Sequence, residues 1–269
     1  MLGKLLKYDL KWSIKLICIF LGLGFAFSVT GRLLDFVFNS LFFDIVVKIC
    51  YGTSIALTIN GLANSIIRSW VRFITNLYKD ESYLTNTLPV KRSTHFLSKN
   101  LNSLICIVIS MVALVVNVFI MYYSKEMIEL IKTYLLTITT TLDMSVAEFI
   151  ILLIAVLFVE ILFLVEIGYF GIVFGYSHNN KKLLYSILYG IAGYAVSVVI
   201  TFIILAIMSI FNNDLYNIIF LDIVNNTQTA IDFGLIKLLC VFAFSIYLVY
   251  TGLLYVIANA KLKKGINID

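Results

Sequence analysis

Charge is scarce in this chain. Asp, Glu, Lys and Arg together make up 13% of its residues, against 61% hydrophobic, and the mean hydropathy is +1.02. A soluble domain carries about 25% charged residues, so a water-exposed globular fold is excluded. The four cysteines, Cys18, Cys50, Cys106 and Cys240, lie in or at the end of apolar runs and lack metal-ligand spacing. They read as reduced, buried, apolar side chains, and no metal site is expected. There is no GxxxxGK[ST] loop to cradle a nucleotide phosphate, and no HExxH, GxSxG or cysteine–histidine cluster. Nucleotide binding of that kind, hydrolysis and zinc chemistry are therefore without support on this chain. No internal repeat and no linker divides it, so a single transmembrane domain over 1–269 is expected. The basic residues are too scattered for nucleic-acid binding.

What the sequence has instead is apolar length. Several windows exceed the roughly 18–20 residues that cross a hydrocarbon core of about 30 Å. They are continuous rather than alternating, which argues for helices and against a β-barrel. The expected fold is an all-α polytopic membrane protein with six spans, at about 14–31, 45–77, 101–123, 149–175, 184–211 and 234–259. No small-residue cleavage site follows the first apolar run, so that helix is expected to stay. With the N-terminus inside, 15 of the 20 Lys and Arg residues fall on the cytoplasmic side, while nine of the fifteen acids fall outside. The positive-inside rule thus places both termini in the cytoplasm. On that topology His95 and His178 are solvated residues of the cytoplasmic surface.

Residues 1–15 place Lys4, Lys7, Lys11 and Lys15 on one helical face and Leu2, Leu5, Leu6 and Trp12 opposite. This predicts an interfacial helix, although Asp9 falls on its apolar side; a flexible basic anchor is the alternative. The second span is too long for the bilayer, since 33 residues at about 1.5 Å each reach roughly 50 Å. Asn60, Asn64, Arg68 and Arg72 recur along it at i+4, serving either interhelical bonding or one wall of a substrate path. Glu160 and Glu166 are the acids deep within a span, and a central charge costs about 2.5–3.5 kcal/mol. Their faces diverge, so a shared metal or acid–base pair is not expected; bundle bonding and a transport role both remain open. Gly171 and Gly175 form a GxxxG pair suited to close helix packing, with Gly168 nearby. Among the outer segments, 32–44 is rich in Leu and Phe. Residues 124–148 predict a short amphipathic helix through Met127, Ile128, Ile131, Leu135 and Leu136, and 212–233 a short helix dipping back.

The longest polar interruption between the early spans is Tyr78–Asn100, YKDESYLTNTLPVKRSTHFLSKN. It holds the only proline, Pro89, and the charges Lys79, Asp80, Glu81, Lys91, Arg92 and Lys99. A short amphipathic helix is predicted over Asp80–Leu88, capped by Asp80 and favoured by Glu81 in its first turn. Tyr83, Leu84, Thr87 and Leu88 share one face. Pro89 stops the helix by biasing Leu88 out of the α region, and Ser93 or Thr94 caps the next span.

These parts together resemble the membrane subunit of an ABC-2-type transporter. The matching features are the N-terminal helix, six spans with both termini inside, the over-long second span and, above all, the loop Lys79–Arg92. There an acidic turn and the Thr87-Leu88-Pro89-Val90 segment with its basic residues precede Lys99. The resemblance implies a permease without catalysis of its own, in a bacterial plasma membrane. ATP and Mg would sit on a separate ATPase, and a second permease copy would complete a twelve-helix unit. It also implies that the loop is a coupling helix docking on the ATPase. Tyr83, Leu84, Leu88 and Pro89 would then be its face, with Asp80, Glu81, Lys91 and Arg92 as the rim. The cargo would be a hydrophobic or amphipathic peptide, antibiotic or lipid, exported along a path involving Asn60, Asn64, Arg68, Glu160 and Glu166. The alternative is an ATP-independent immunity or sensor protein that binds a peptide or lipid.

Overall fold

A computed structural model describes residues 1–38, 40–79, 81–141, 144–211 and 233–265. Among them there is no strand. The helices are α1 (Leu2–Val37), α2 (Leu41–Leu77), α3 (Ser82–Thr87), α4 (Arg92–Tyr122), α5 (Lys125–Thr141), α6 (Val146–Gly175), α7 (Lys182–Phe211) and α8 (Phe233–Lys264). Six of these, all but α3 and α5, are long and apolar enough to cross a membrane. The chain has the make-up of a multi-pass membrane protein. Its amphipathic α5 occupies the predicted outer segment, while the short helix expected at 212–233 lies outside the described residues, apart from Phe233 at the start of α8.

The chain divides into two compact units, one of residues 1–128 with 259–269, the other of residues 129–258. In the first, α1, α2 and α4 pack on one another and α3 packs on α2. Lipid gives no hydrophobic drive for helices to associate, so close contact and interhelical hydrogen bonds must supply it. Each helix accordingly has a seam of small and polar residues. On α1 the buried positions are Asp9, Ser13, Ile17, Leu21, Gly24, Ser28 and Gly31, spaced by three or four. The seams are stitched by Ser54 to the Gly24 carbonyl at 2.7 Å, Asn117 to Thr58 at 2.8 Å, and Asn102 to Ser13 at 3.0 Å. The Ser65 and Ser110 hydroxyls meet at 2.8 Å.

α1 is a single 36-residue helix, so residues 2–15 run without a break into the first span. Its packing stripe begins at Asp9, and none of residues 2–8 is buried. The second helix is long, as expected: 37 residues, or roughly 55 Å.

In the second unit, α6 and α7 pack closely. A Cβ on Gly171 would meet the Ser186 carbonyl oxygen at 2.5 Å, and one on Gly175 would meet the Ser186 backbone nitrogen at 2.2 Å. The GxxxG pair therefore does what its spacing predicted. A capping box starts α6, Ser145 accepting from the Glu148 amide and Glu148 from the Ser145 amide. Phe163, Ile167 and Leu254 form this unit's core cluster, with Phe170, Tyr247 and Tyr250 against it.

Candidate functional site

Near one end of the seams of α1, α2 and α4 lie charged and amide residues, Asp9 on the first, Arg72 and Asn76 on the second and Lys99 on the third, and all four are buried. Arg72 Nε donates to Asp9 Oδ1 at 3.1 Å, Lys99 Nζ donates to the same oxygen at 2.5 Å, and Ser98 donates to Oδ2 at 2.9 Å. The Arg72 guanidinium also reaches out of the bundle. Its Nη1 donates to both Glu81 oxygens, at 2.8 and 2.9 Å, and Asn76 adds a bond to Glu81 at 2.7 Å. Two acids and two bases are thus matched, as burial of charge requires. Trp12 covers one side, with the Arg68 guanidinium 4.1 Å and that of Arg72 5.3 Å from its ring centre.

Glu81 is where this network meets α3. It precedes Ser82 and accepts from α2, so the short helix is fastened to the long one at its first residue. Ser82 and Thr85 turn inward and are buried, whereas Tyr83 is 70% exposed, Leu84 75% and Leu88 47%. Tyr83 and Leu84 thus stand exposed on a helix anchored by ions, with Leu88 just past its end. Leu88 is extended, as its place before Pro89 dictates.

Several expectations change here. The helix runs over Ser82–Thr87 rather than Asp80–Leu88, and Asp80 lies outside the described residues. Glu81 occupies the capping position without a side-chain cap, its carboxylate being engaged by Arg72 and Asn76. The next helix begins at Arg92 after Lys91, so Ser93 and Thr94 lie within its first turn and cap nothing. His95 is not solvated: it is 3% exposed, and its Nε2 has no hydrogen-bond partner. Asn60 and Asn64 spend their amides on the carbonyls one turn back, Ala56 and Asn60, and Arg68 donates to the Trp12 carbonyl. In the second unit Glu160 is exposed and Glu166 buried. The network members Asp9, Asn76 and Ser98 were not anticipated as functional. The one signal for them was Asp9 on an apolar face; its partners lie 63 and 90 positions away.

The Glu81 carboxyl makes a testable case. Burial pushes its pKa up, but the hydrogen bonds from Asn76 and Arg72 outweigh this and hold it below the usual carboxylate range. A depressed folded-state value means the anchoring is complete above the ordinary carboxyl value, about 4.3, and fades as pH falls below it. Hydrogen exchange of the α3 amides, corrected for intrinsic rate, should rise below that pH in wild type. Glu81→Gln should exchange fast at every pH; a protein whose α3 is indifferent to both changes would not be anchored this way.

No protein-family model, no curated protein and no solved structure matches this chain.

Proposed function

We propose that this chain is the membrane-spanning permease subunit of an ATP-driven exporter of the ABC-2 type, in a bacterial plasma membrane. It performs no catalysis itself. A separate ATPase binds ATP and Mg and docks on the exposed face of α3, and a second permease copy completes the translocation unit. Both termini and α3 lie in the cytoplasm on this reading, in line with the bias of Lys and Arg.

The observation that carries the proposal is the pairing of an exposed apolar face with an ionic anchor that joins a half-exposed Glu81 to the buried Arg72. Tyr83 and Leu84 are largely exposed on a helix of six residues, with Leu88 half-exposed just beyond it, and so short a helix does not persist in water without attachment. The attachment is Glu81 to Arg72, and Arg72 shares Asp9 with Lys99. A push on α3 is therefore delivered to α1, α2 and α4 together, which is what a lever between a soluble motor and a helix bundle requires. Lys91 and Arg92 are exposed beside that face, suiting a partner groove with acidic edges.

The test is ATP hydrolysis that co-elutes with the tagged chain purified from its native membrane. Replacing Tyr83 and Leu84 together by Glu should abolish it while leaving unfolding within about 0.5 kcal/mol of wild type, since both side chains are exposed. Hydrolysis unchanged by the double substitution would refute the docking face. A chain that purifies without hydrolysis, yet still performs its role in cells, would be an ATP-independent binding protein.

A further inference from the structure

The lysines of α1 stand outside the ion network. Lys4, Lys7, Lys11 and Lys15 recur at intervals of three and four, so they form one stripe roughly 80° wide along the first turns of the helix. All four are exposed, and none makes an ion pair among the described residues. The nearest acid on the helix cannot answer them. Asp9 is the one acid before Asp35; it lies on the far side of α1, where its oxygens are taken by Arg72, Lys99 and Ser98.

The same line continues past the lysines without charge. Cys18, Gly22 and Phe25 follow Lys15 at the same intervals of three and four, and all are exposed. A Cβ on Gly22 would meet nothing within 4 Å, so the face is open there. Phe25 then lines an apolar cleft of about 380 Å³ between α1 and α4, together with Leu21, Val108, Val112 and Val116 among others. From Lys15 to Phe25 is roughly 15 Å along the helix, half of a hydrocarbon core of about 30 Å. A cationic stripe and an apolar cleft thus succeed one another on one helix face, at the spacing of a lipid headgroup and its chain.

We propose that this face binds an anionic phospholipid. Its phosphate oxygens accept from the lysines, and one acyl chain lies over Cys18 and Gly22 into the cleft between α1 and α4. A cluster of four lysines on a helix at a membrane surface attracts anionic headgroups, each cation contributing about fivefold. A merely solvated basic face would account for the lysines but not for the exposed apolar line that prolongs them. A soluble anion would have no use for the cleft. The inference goes beyond the permease reading and does not draw on it.

The test places the full-length chain in phosphatidylcholine vesicles containing, at equal mole fraction, either phosphatidylglycerol or phosphatidylcholine with a diazirine in its acyl chain. After illumination, adducts are mapped by peptide mass spectrometry. On the residues lining the cleft, the glycerol lipid should give at least about fivefold more adduct than the choline lipid, the equivalent of one cation. On Ile187, Ile191 and Ile203, exposed residues of α7, the two lipids should label equally. Changing Lys4, Lys7, Lys11 and Lys15 together to Gln should erase the preference, and changing them together to Arg should keep it. Salt at about 1 M, where the Debye length is about 3 Å, should erase it as well. Glycerol phosphate in the aqueous phase, matched to sodium chloride in ionic strength, should not; if it does, the stripe takes a soluble anion and the lipid assignment falls. Equal labelling of the cleft by both lipids in wild type, an equal preference on α7, or a preference that survives the change to Gln overturns the proposal. Wild type at low and high salt decides it even if the Gln variant fails to fold.

Discussion

Replacing Asp9 by leucine is expected to destabilise the first unit by about 3–5 kcal/mol, the cost of breaking a buried ion pair from one side. The physical reason is the company Asp9 keeps. It is 3% exposed and supplies the oxygen shared by Arg72 and Lys99, so its loss leaves two cations sharing the single charge of Glu81. Lys99→Leu should cost less, because Asp9 then keeps Arg72 and Ser98. The double variant Asp9→Leu with Lys99→Leu removes one charge of each sign and leaves Arg72 matched to Glu81. It should therefore recover most of the loss, giving a coupling energy well above the roughly 0.5 kcal/mol of independent sites. Denaturant unfolding in detergent micelles measures all four corners of that cycle. Simple additivity of the two losses would show that the ions do not act as a unit.

The same cycle separates stability from function. An ion quartet replaced wholesale by well-packed apolar residues is often neutral or more stable, so its retention here argues for registry rather than strength. If the chain is the proposed permease, the double variant should fold well yet pass motion from α3 less faithfully, because the ionic tie between α4 and α1 is gone, and co-eluting ATPase should persist while substrate movement falls.

The bilayer-scale features were legible in the sequence because they depend on composition averaged over twenty residues. Six apolar helices long enough to span a membrane, the over-long second helix and the amphipathic α5 all follow from apolar length and helical period alone. The packing glycines were legible too, since Gly171 and Gly175 act through spacing on one helix. The ion network was not, because its logic is tertiary. Arg72 looked like one more member of an i+4 polar stripe with Asn60, Asn64 and Arg68. In fact the buried line on α2 runs through Thr58, Gly61, Ser65, Ser69, Arg72 and Asn76, a drift of a few tens of degrees away. Asp9 sits on the apolar side of an amphipathic stretch and is the first member of a seam that continues through Ser13, Ile17 and Leu21. The small and polar residues at intervals of three and four from Asp9 onward carry that signal.

Gly175→Leu is expected to have the second-largest effect, and it bears on a different part of the molecule. A Cβ at this position would meet the backbone nitrogen and the hydroxyl of Ser186 at 2.2 Å and its Cα at 2.4 Å. Two of those three atoms are main chain, so no rotamer change relieves the clash and α6 and α7 must separate. Overpacking of this kind costs about 1–3 kcal/mol, and more where backbone blocks the way. Separation would also undo the approach of Gly171 to Gly190, one turn along, and move Tyr194 relative to Phe163. Gly175→Ala should show a smaller loss of the same sign. Gly252→Ala is the matched control: nothing lies within 4 Å of its added methyl, and a mid-helix glycine gains about 0.5–1 kcal/mol on becoming alanine. Thermal unfolding of the three variants in one detergent should therefore give a large loss, a smaller loss and a slight gain. Equal stability of Gly175→Leu and wild type would mean that α6 and α7 are not in the close contact described.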